Sequence, residues 1–173
     1  MPHDEEEESR DRVVVLLRHG IAEERTAGKP DEERALTPEG HARMMKLAGG
    51  LERAFPKAQI IYSSPLVRAT QTAQWVSKAY RSRVKINQTE ALAPGTTPEA
   101  FIEFLRSVPE RRIIAVGHEP VLTQNAVALL GLTNAHQGLE LKKGACYALR
   151  LRGERDAVLE WMLSPRILRR LSE

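Results

Sequence analysis

Arg12 is followed by five consecutive aliphatic residues, Val13-Val14-Val15-Leu16-Leu17, and the run stops abruptly at Arg18-His19-Gly20. Alternation would leave one face of a strand wet. A continuous β-branched and aliphatic run belongs to a strand covered on both faces, as in a parallel sheet between helical layers. Ile113-Ile114-Ala115-Val116 repeats the pattern and ends in Gly117-His118-Glu119-Pro120, while the shorter Gln59-Ile60-Ile61-Tyr62 ends in Ser63-Ser64-Pro65. Val84–Ile86 completes a set of four short strands, numbered in chain order with Gln59–Tyr62 second and Ile113–Val116 fourth.

Helical patterns lie between them. Thr37 caps and Pro38 starts a helix carrying Ala42, Met45, Ala48, Leu51 and Phe55 at helical spacing, with Gly49 and Gly50 weakening it. Leu66, Ala69, Ala73, Val76 and Tyr80 mark a second helix. Thr97-Pro98-Glu99 opens a third, with Phe101, Ile102, Leu105 and Val108 on its buried face, and Val121 to Leu130 forms a fourth. Ala145–Leu151 and Ala157–Leu163, joined around Gly153-Glu154, read as a closing β-hairpin. The expected fold is α/β: a three-layer α/β/α sandwich with a mostly parallel central sheet and a C-terminal hairpin.

Charge divides the 173 residues unevenly. Residues 1–12 hold six acids, five of them consecutive from Asp4 to Glu8, and two bases. Such a segment repels itself and has nothing apolar to bury, so residues 1–12 are expected to be a disordered acidic tail preceding a single domain over 13–173. Removing the tail turns a net charge of +3 into +7 for the body, with 24 basic and 17 acidic residues. Only 5% of residues are aromatic and no basic stripe is interleaved with them, which argues against nucleic acid and for a phosphate-sized anion in a pocket. No apolar stretch approaches the ~20 residues of a membrane span, and an acidic start is opposite to a signal peptide, so no membrane partner and a cytoplasmic location are expected. The single cysteine, Cys146, forbids an intramolecular disulfide or a multi-thiolate metal site and reads as a core residue.

Ligands of open parallel sheets bind beyond the carboxyl ends of the strands. Three such ends are polar here, offering Arg18 and His19, then Ser63, Ser64 and Arg68, then His118. Any one of them alone also reads as an ordinary turn or surface residue; their joint placement on one sheet edge makes them a site. Arginine forks suit a tetrahedral dianion, and an imidazole can serve as nucleophile or donor near neutral pH. His3, His41 and His136 read as solvated background. The chain has no Walker loop and no dinucleotide fingerprint; Leu122 stands where a zinc-protease helix needs its second histidine, and Gly-x-Ser-x-Gly is absent. No metal site or cofactor is expected, and histidine is the best candidate nucleophile.

Taken in order, Leu17-Arg18-His19-Gly20, Leu36-Thr37-Pro38-Glu39-Gly40, the segment from Ser63 to Ala73 and Val116-Gly117-His118-Glu119-Pro120 resemble the histidine phosphatase superfamily, most closely its SixA-type phosphohistidine phosphatase branch. The resemblance implies a phosphoglycerate mutase-like fold, and a metal-independent phosphohydrolase in which His19 takes the phosphoryl group and water releases it as inorganic phosphate. It further implies that Arg18, Arg68 and His118 surround the phosphoryl oxygens, with Arg34 a further phosphate-binding arginine in the SixA-type branch. Phosphoglycerate mutases and related phosphatases place an acid shortly after a leucine following the third strand, but here Leu92 is followed by Ala93-Pro94-Gly95. A phosphate monoester leaves as an alkoxide and needs a proton, whereas the leaving nitrogen of a phosphoramidate can already carry one. Losing the acid favours phosphohistidine on a protein, such as a histidine-containing phosphotransfer protein, and the short Asn87–Thr96 segment leaves the pocket open to one. Asp31, Glu32 or Glu90 could restore an acid, and with it a broad phosphomonoesterase acting on small phosphorylated molecules. A non-catalytic phosphoprotein-binding module is the third reading.

Overall fold

The computed structural model describes residues 11–133 and 138–173. The acidic segment over 1–10, with His3, and the loop histidine His136 lie outside the described residues. Strand β1 (Arg12–Arg18) begins one residue before the expected domain boundary, since Arg12 pairs in the sheet and its guanidinium donates to the carbonyls of Leu105, Val108 and Glu110.

Then follow α1 (Pro38–Ala54), β2 (Ile60–Ser63), α2 (Val67–Ala79), β3 (Lys85–Gln88), α3 (Pro98–Ser107), β4 (Arg112–Gly117), α4 (Val121–Leu129), β5 (Cys146–Leu151), β6 (Ala157–Leu163) and α5 (Pro165–Leu171). The sheet order is β3-β2-β4-β1-β5-β6, with β3, β2, β4 and β1 mutually parallel and β5 and β6 joining as the antiparallel hairpin. The α/β sandwich read from the sequence is therefore the fold.

The unbroken apolar run of β1 has a direct cause in the layering. Val13, Val15 and Leu17 face a core closed by α1, α2 and α5, while Val14 and Leu16 face a second core closed by α3 and α4. β4 divides in the same way, Ile114 and Val116 to one side, Ile113 and Ala115 to the other. Cys146 is fully buried in the first core, which pushes its thiol up to about 12.

Three local expectations are corrected. The buried face of α1 is Met44, Leu47, Ala48 and Leu51, and Met45 is 54% exposed. The third strand is Lys85–Gln88, a mostly exposed edge strand where alternation and burial are weak signals. Helix α5 was not anticipated; it docks on α1 at Gly50, where an added Cβ would lie 1.8 Å from the Leu168 carbonyl oxygen. Gly50 is thus the contact that lets two helices touch, rather than only a weak point. Among the described residues no helix is long and apolar enough to cross a membrane.

Candidate active site

β1, β4 and β2 are neighbours in the sheet, with Arg18 opposite Gly117 and Ser63 opposite Val116, so the three polar strand ends open onto one edge. His19 continues β1 by donating its backbone N–H to the Gly117 carbonyl at 3.1 Å, and Ser64 donates to Val116 at 2.9 Å. The chain then turns at Gly20, whose N–H is held 3.1 Å from Thr72 Oγ1, while that hydroxyl donates to the Arg68 carbonyl at 2.7 Å. Helix α2 therefore fixes both the turn behind His19 and its own Arg68. Helix α1 does the same from the other side: Gly40 in its first turn packs so closely that a Cβ would lie 2.0 Å from the Ile21 carbonyl oxygen.

The His19 ring is buried, with Nδ1 2.7 Å from the Gly20 carbonyl. A carbonyl only accepts, so Nδ1 is the protonated nitrogen and Nε2 keeps its lone pair. Burial is the largest cause lowering the His19 pKa, the charges of Arg68, Arg18 and Lys143 add to it, and the Gly20 hydrogen bond opposes them; the result is about 3. His118, buried with its ring centroid 5.0 Å from that of His19, is likewise held at about 3, first by burial and then by His19 and Arg68. Its Nε2 lies 2.8 Å from Ser64 Oγ, and its Nδ1 is buried without a hydrogen-bond partner among the described residues.

Arg68 is 3% exposed although it sits in the first turn of a helix, where the default is a solvated side chain. Asp31, on a short 3₁₀ turn over Asp31–Glu33, accounts for this. Arg68 Nη1 donates to the Asp31 carbonyl at 2.7 Å and Nη2 to its carboxylate at 2.9 Å. The other carboxylate oxygen accepts from Arg34 at 2.9 Å and from Arg25 at 3.1 Å. Partial burial would raise the Asp31 pKa, but the Arg68 hydrogen bond and charge, reinforced by Arg34, outweigh it and hold it at about 2. Arg18 donates to the Leu141 carbonyl at 2.5 Å, and the Nε groups of Arg18 and Arg68 are buried donors with no acceptor among the described residues.

These residues line one cleft of about 240 Å³, which includes all five expected site residues, Arg18, His19, Arg34, Arg68 and His118. Five cationic side chains, counting Arg25 and Lys143, face two carboxylates, Asp31 and Glu119. The Glu119 carboxylate is tied to the Thr123 backbone and hydroxyl and to the Leu141 N–H. Pro94 lines the cleft; Glu32 and Glu90 do not. Sequence reasoning missed Lys143 and the clamping role of Asp31. Lys143 could have been found from topology, since it precedes the start of β5, which pairs antiparallel with the far end of β1. His41 is also corrected: it is half-buried and accepts a hydrogen bond from Trp75 Nε1 at 2.9 Å. Guanidinium groups lining one cleft with an imidazole whose Nε2 keeps its lone pair are chemically suited to a tetrahedral anion and to nucleophilic attack.

The family model of the histidine phosphatase superfamily (branch 1) matches residues 14–93, which carry Arg18, His19, Arg34 and Arg68. An uncharacterised protein of Picosynechococcus sp. is 33% identical over 141 residues, covering 79% of this chain and 84% of its own. The chain belongs to the histidine phosphatase superfamily. Among solved structures, protein histidine phosphatase SixA complexed with tungstate is similar to this chain with a TM-score of 0.76 and 20% identity, over 90% of this chain and 99% of SixA. A mycobacterial glucosyl-3-phosphoglycerate phosphatase is similar with a TM-score of 0.71 and 16% identity, over 90% of this chain and 100% of its own. At these identities the structural likeness speaks for the fold, and membership of the superfamily supports phosphatase activity.

Proposed function

We propose that this histidine phosphatase removes the phosphoryl group from phosphohistidine on proteins, through a covalent intermediate on His19. The observation that carries the reading is that no carboxyl group lining the cleft among the described residues is free to act as the acid: Pro94 lines it, Asp31 is held ionised by Arg68 and Arg34, and Glu119 is bound by three donors.

In the first step His19 Nε2 attacks phosphorus and the P–N bond of the substrate breaks, its electrons returning to a leaving imidazole that keeps the proton on its other nitrogen. No acid is needed. Arg18, Arg68, Arg34 and His118 surround the phosphoryl oxygens and stabilise charge in the transition state. In the second step water attacks phosphorus, the P–Nε2 bond breaks, and inorganic phosphate leaves with both hydrogens of the water. His19 returns neutral, with Nδ1–H still on the Gly20 carbonyl.

The presence of Asp31 in the cleft favours one rival, a phosphomonoesterase on small esters. A panel of phosphohistidine peptide, aryl phosphate and sugar phosphates assayed by kcat/KM separates the two. Preference for the phosphohistidine peptide is expected, and outright preference for sugar phosphates would remove the reading. Full phosphate binding without turnover of any member of the panel would point to a non-catalytic module instead.

A further inference from the structure

Beside the cleft runs a larger groove of about 660 Å³ between the start of α1, the Glu140–Lys143 segment and α5. Arg18 belongs to both cavities, and so does Lys143, so the groove opens directly off the candidate phosphoryl site. Its size lies within the range of sites that hold an extended ligand, and it is far more than a phosphate needs.

The groove is cationic. Arg43, Lys142, Arg166 and Arg169 line it, against Glu140 as the one carboxylate among its described lining residues. Arg43 is shared with Glu39 at 2.5 Å, whereas no ion pair ties Lys142, Arg166 or Arg169 among the described residues. Its floor is apolar, formed by Ile21, Met44, Leu47 and Pro165. The floor is also rigid: Met44 and Leu47 are buried, and α5 is locked to α1 at Gly50. An apolar floor between cationic walls fits a polypeptide that carries carboxylates and presents some aliphatic surface. It fits single-stranded nucleic acid poorly, because no aromatic side chain among the described residues lines it for bases to stack on.

We propose that this groove docks an acidic segment next to the phosphorylated residue of a protein substrate, an inference that rests on the protein-substrate reading above. The phosphoryl group enters the cleft, and neighbouring Asp or Glu side chains meet Lys142, Arg166 and Arg169. Those three residues then set KM for protein substrates without touching the reacting atoms.

The test compares the full chain with its K142E/R166E/R169E variant and a milder K142Q/R166Q/R169Q variant, on phosphohistidine peptides whose flanks are either Glu-rich or Ser/Gly-rich, and on an aryl phosphate. For the wild type, KM for the Glu-flanked peptide is lower than for the neutral one. Charge reversal raises it on the order of tenfold, as three exposed charge pairs would, and 0.3 M salt shrinks the difference. Values for kcat and for the aryl phosphate stay unchanged, which also reports that both variants fold. Equal KM for the two flanks in the wild type, or an equal loss on the aryl phosphate, overturns the proposal. The same flank pair built on phosphoserine keeps the outcomes separate: if the enzyme hydrolyses only the esters, the phosphohistidine reading fails while the flank effect is still read. Tighter binding of an oligonucleotide of equal charge, lost in the same variants, would also overturn the assignment to an acidic polypeptide.

Discussion

Asp31 shows most clearly how a residue's role depends on what faces it. In sequence it is one of several loop carboxylates; in space it holds Arg68 through backbone and side chain and binds Arg34 and Arg25 with its second oxygen. It is a positioning residue for the arginines. Asp31→Ala should lower kcat/KM for an aryl phosphate by about 10- to 100-fold, the range expected when a binding group is displaced by about 1 Å. Asp31→Asn, which keeps the backbone contact and one acceptor, should recover most of that. If Asp31→Asn instead loses turnover only on alkyl phosphates, whose leaving groups need a proton, Asp31 is a general acid. The histidines carry a second prediction. Their pKa values fall from 6.5 to about 3 on folding, so the unfolded chain binds protons that the folded chain refuses. Their contribution is neutral above 6.5 and stability is lost as pH falls below it, by up to about 1.4 kcal/mol per pH unit for each ring until the folded value near 3 is reached. A melting profile from pH 7 to 4.5 should be shallower for His118→Asn than for the wild type; parallel curves would contradict this. Arg18, His19, Arg68 and His118 were legible because each ends a strand, directly follows one or lies in the first turn of the next helix. Asp31 was not, since a carboxylate in an aperiodic loop carries no signal of which cation it meets.

At the level of elements, Ser or Thr followed by Pro starts three helices among the described residues, while Ser64-Pro65 does not, α2 beginning at Val67 with Leu66 as an N-cap that makes no side-chain bond. Thr37-Pro38 and Thr97-Pro98 each start a helix, with the hydroxyl accepting from the third residue beyond it. Ser164-Pro165 starts α5 in the same way, accepting from Ile167. It was overlooked because only Leu168 of that helix is buried, so no periodicity accompanies the cap. The strands were legible where both faces are covered, in β1 and β4, and blurred in the exposed edge strand β3. The α1–α5 contact gives a prediction of its own. Gly50→Ala removes a helix-weakening glycine, a gain of about 1 kcal/mol, yet drives its Cβ into the Leu168 carbonyl. The clash should prevail, with a net loss of about 1–3 kcal/mol in urea denaturation. An unchanged or raised midpoint would show that α5 is not seated as described. Gly40→Ala, against the Ile21 carbonyl beside the His19 turn, should reduce turnover as well as stability.

For the molecule as a whole, sheet order brings residues distant in sequence to one cleft. Inserting β4 between β1 and β2 sets His118 beside His19 and Ser64 although they are far apart in the chain. That convergence followed from the strand-end rule, whereas the hairpin's contribution, Lys143 and the carbonyl of Leu141 that holds Arg18, depended on which strand the hairpin joined. The basic excess of the body also gains a location, since part of it lines the cleft and part the adjoining groove. Catalysis by side chains alone predicts that a chelator leaves turnover intact; abolition by the chelator, restored by a divalent ion, would contradict it.

The most direct test of the central claim is a rapid-quench experiment with a ³²P-labelled phosphohistidine peptide, followed by mapping of the labelled residue. An acid-labile, base-stable label on His19 that decays as phosphate appears is expected, and His19→Ala should carry no label and lose about 10³-fold or more in kcat. Label on His118, or full turnover by His19→Ala, would contradict it.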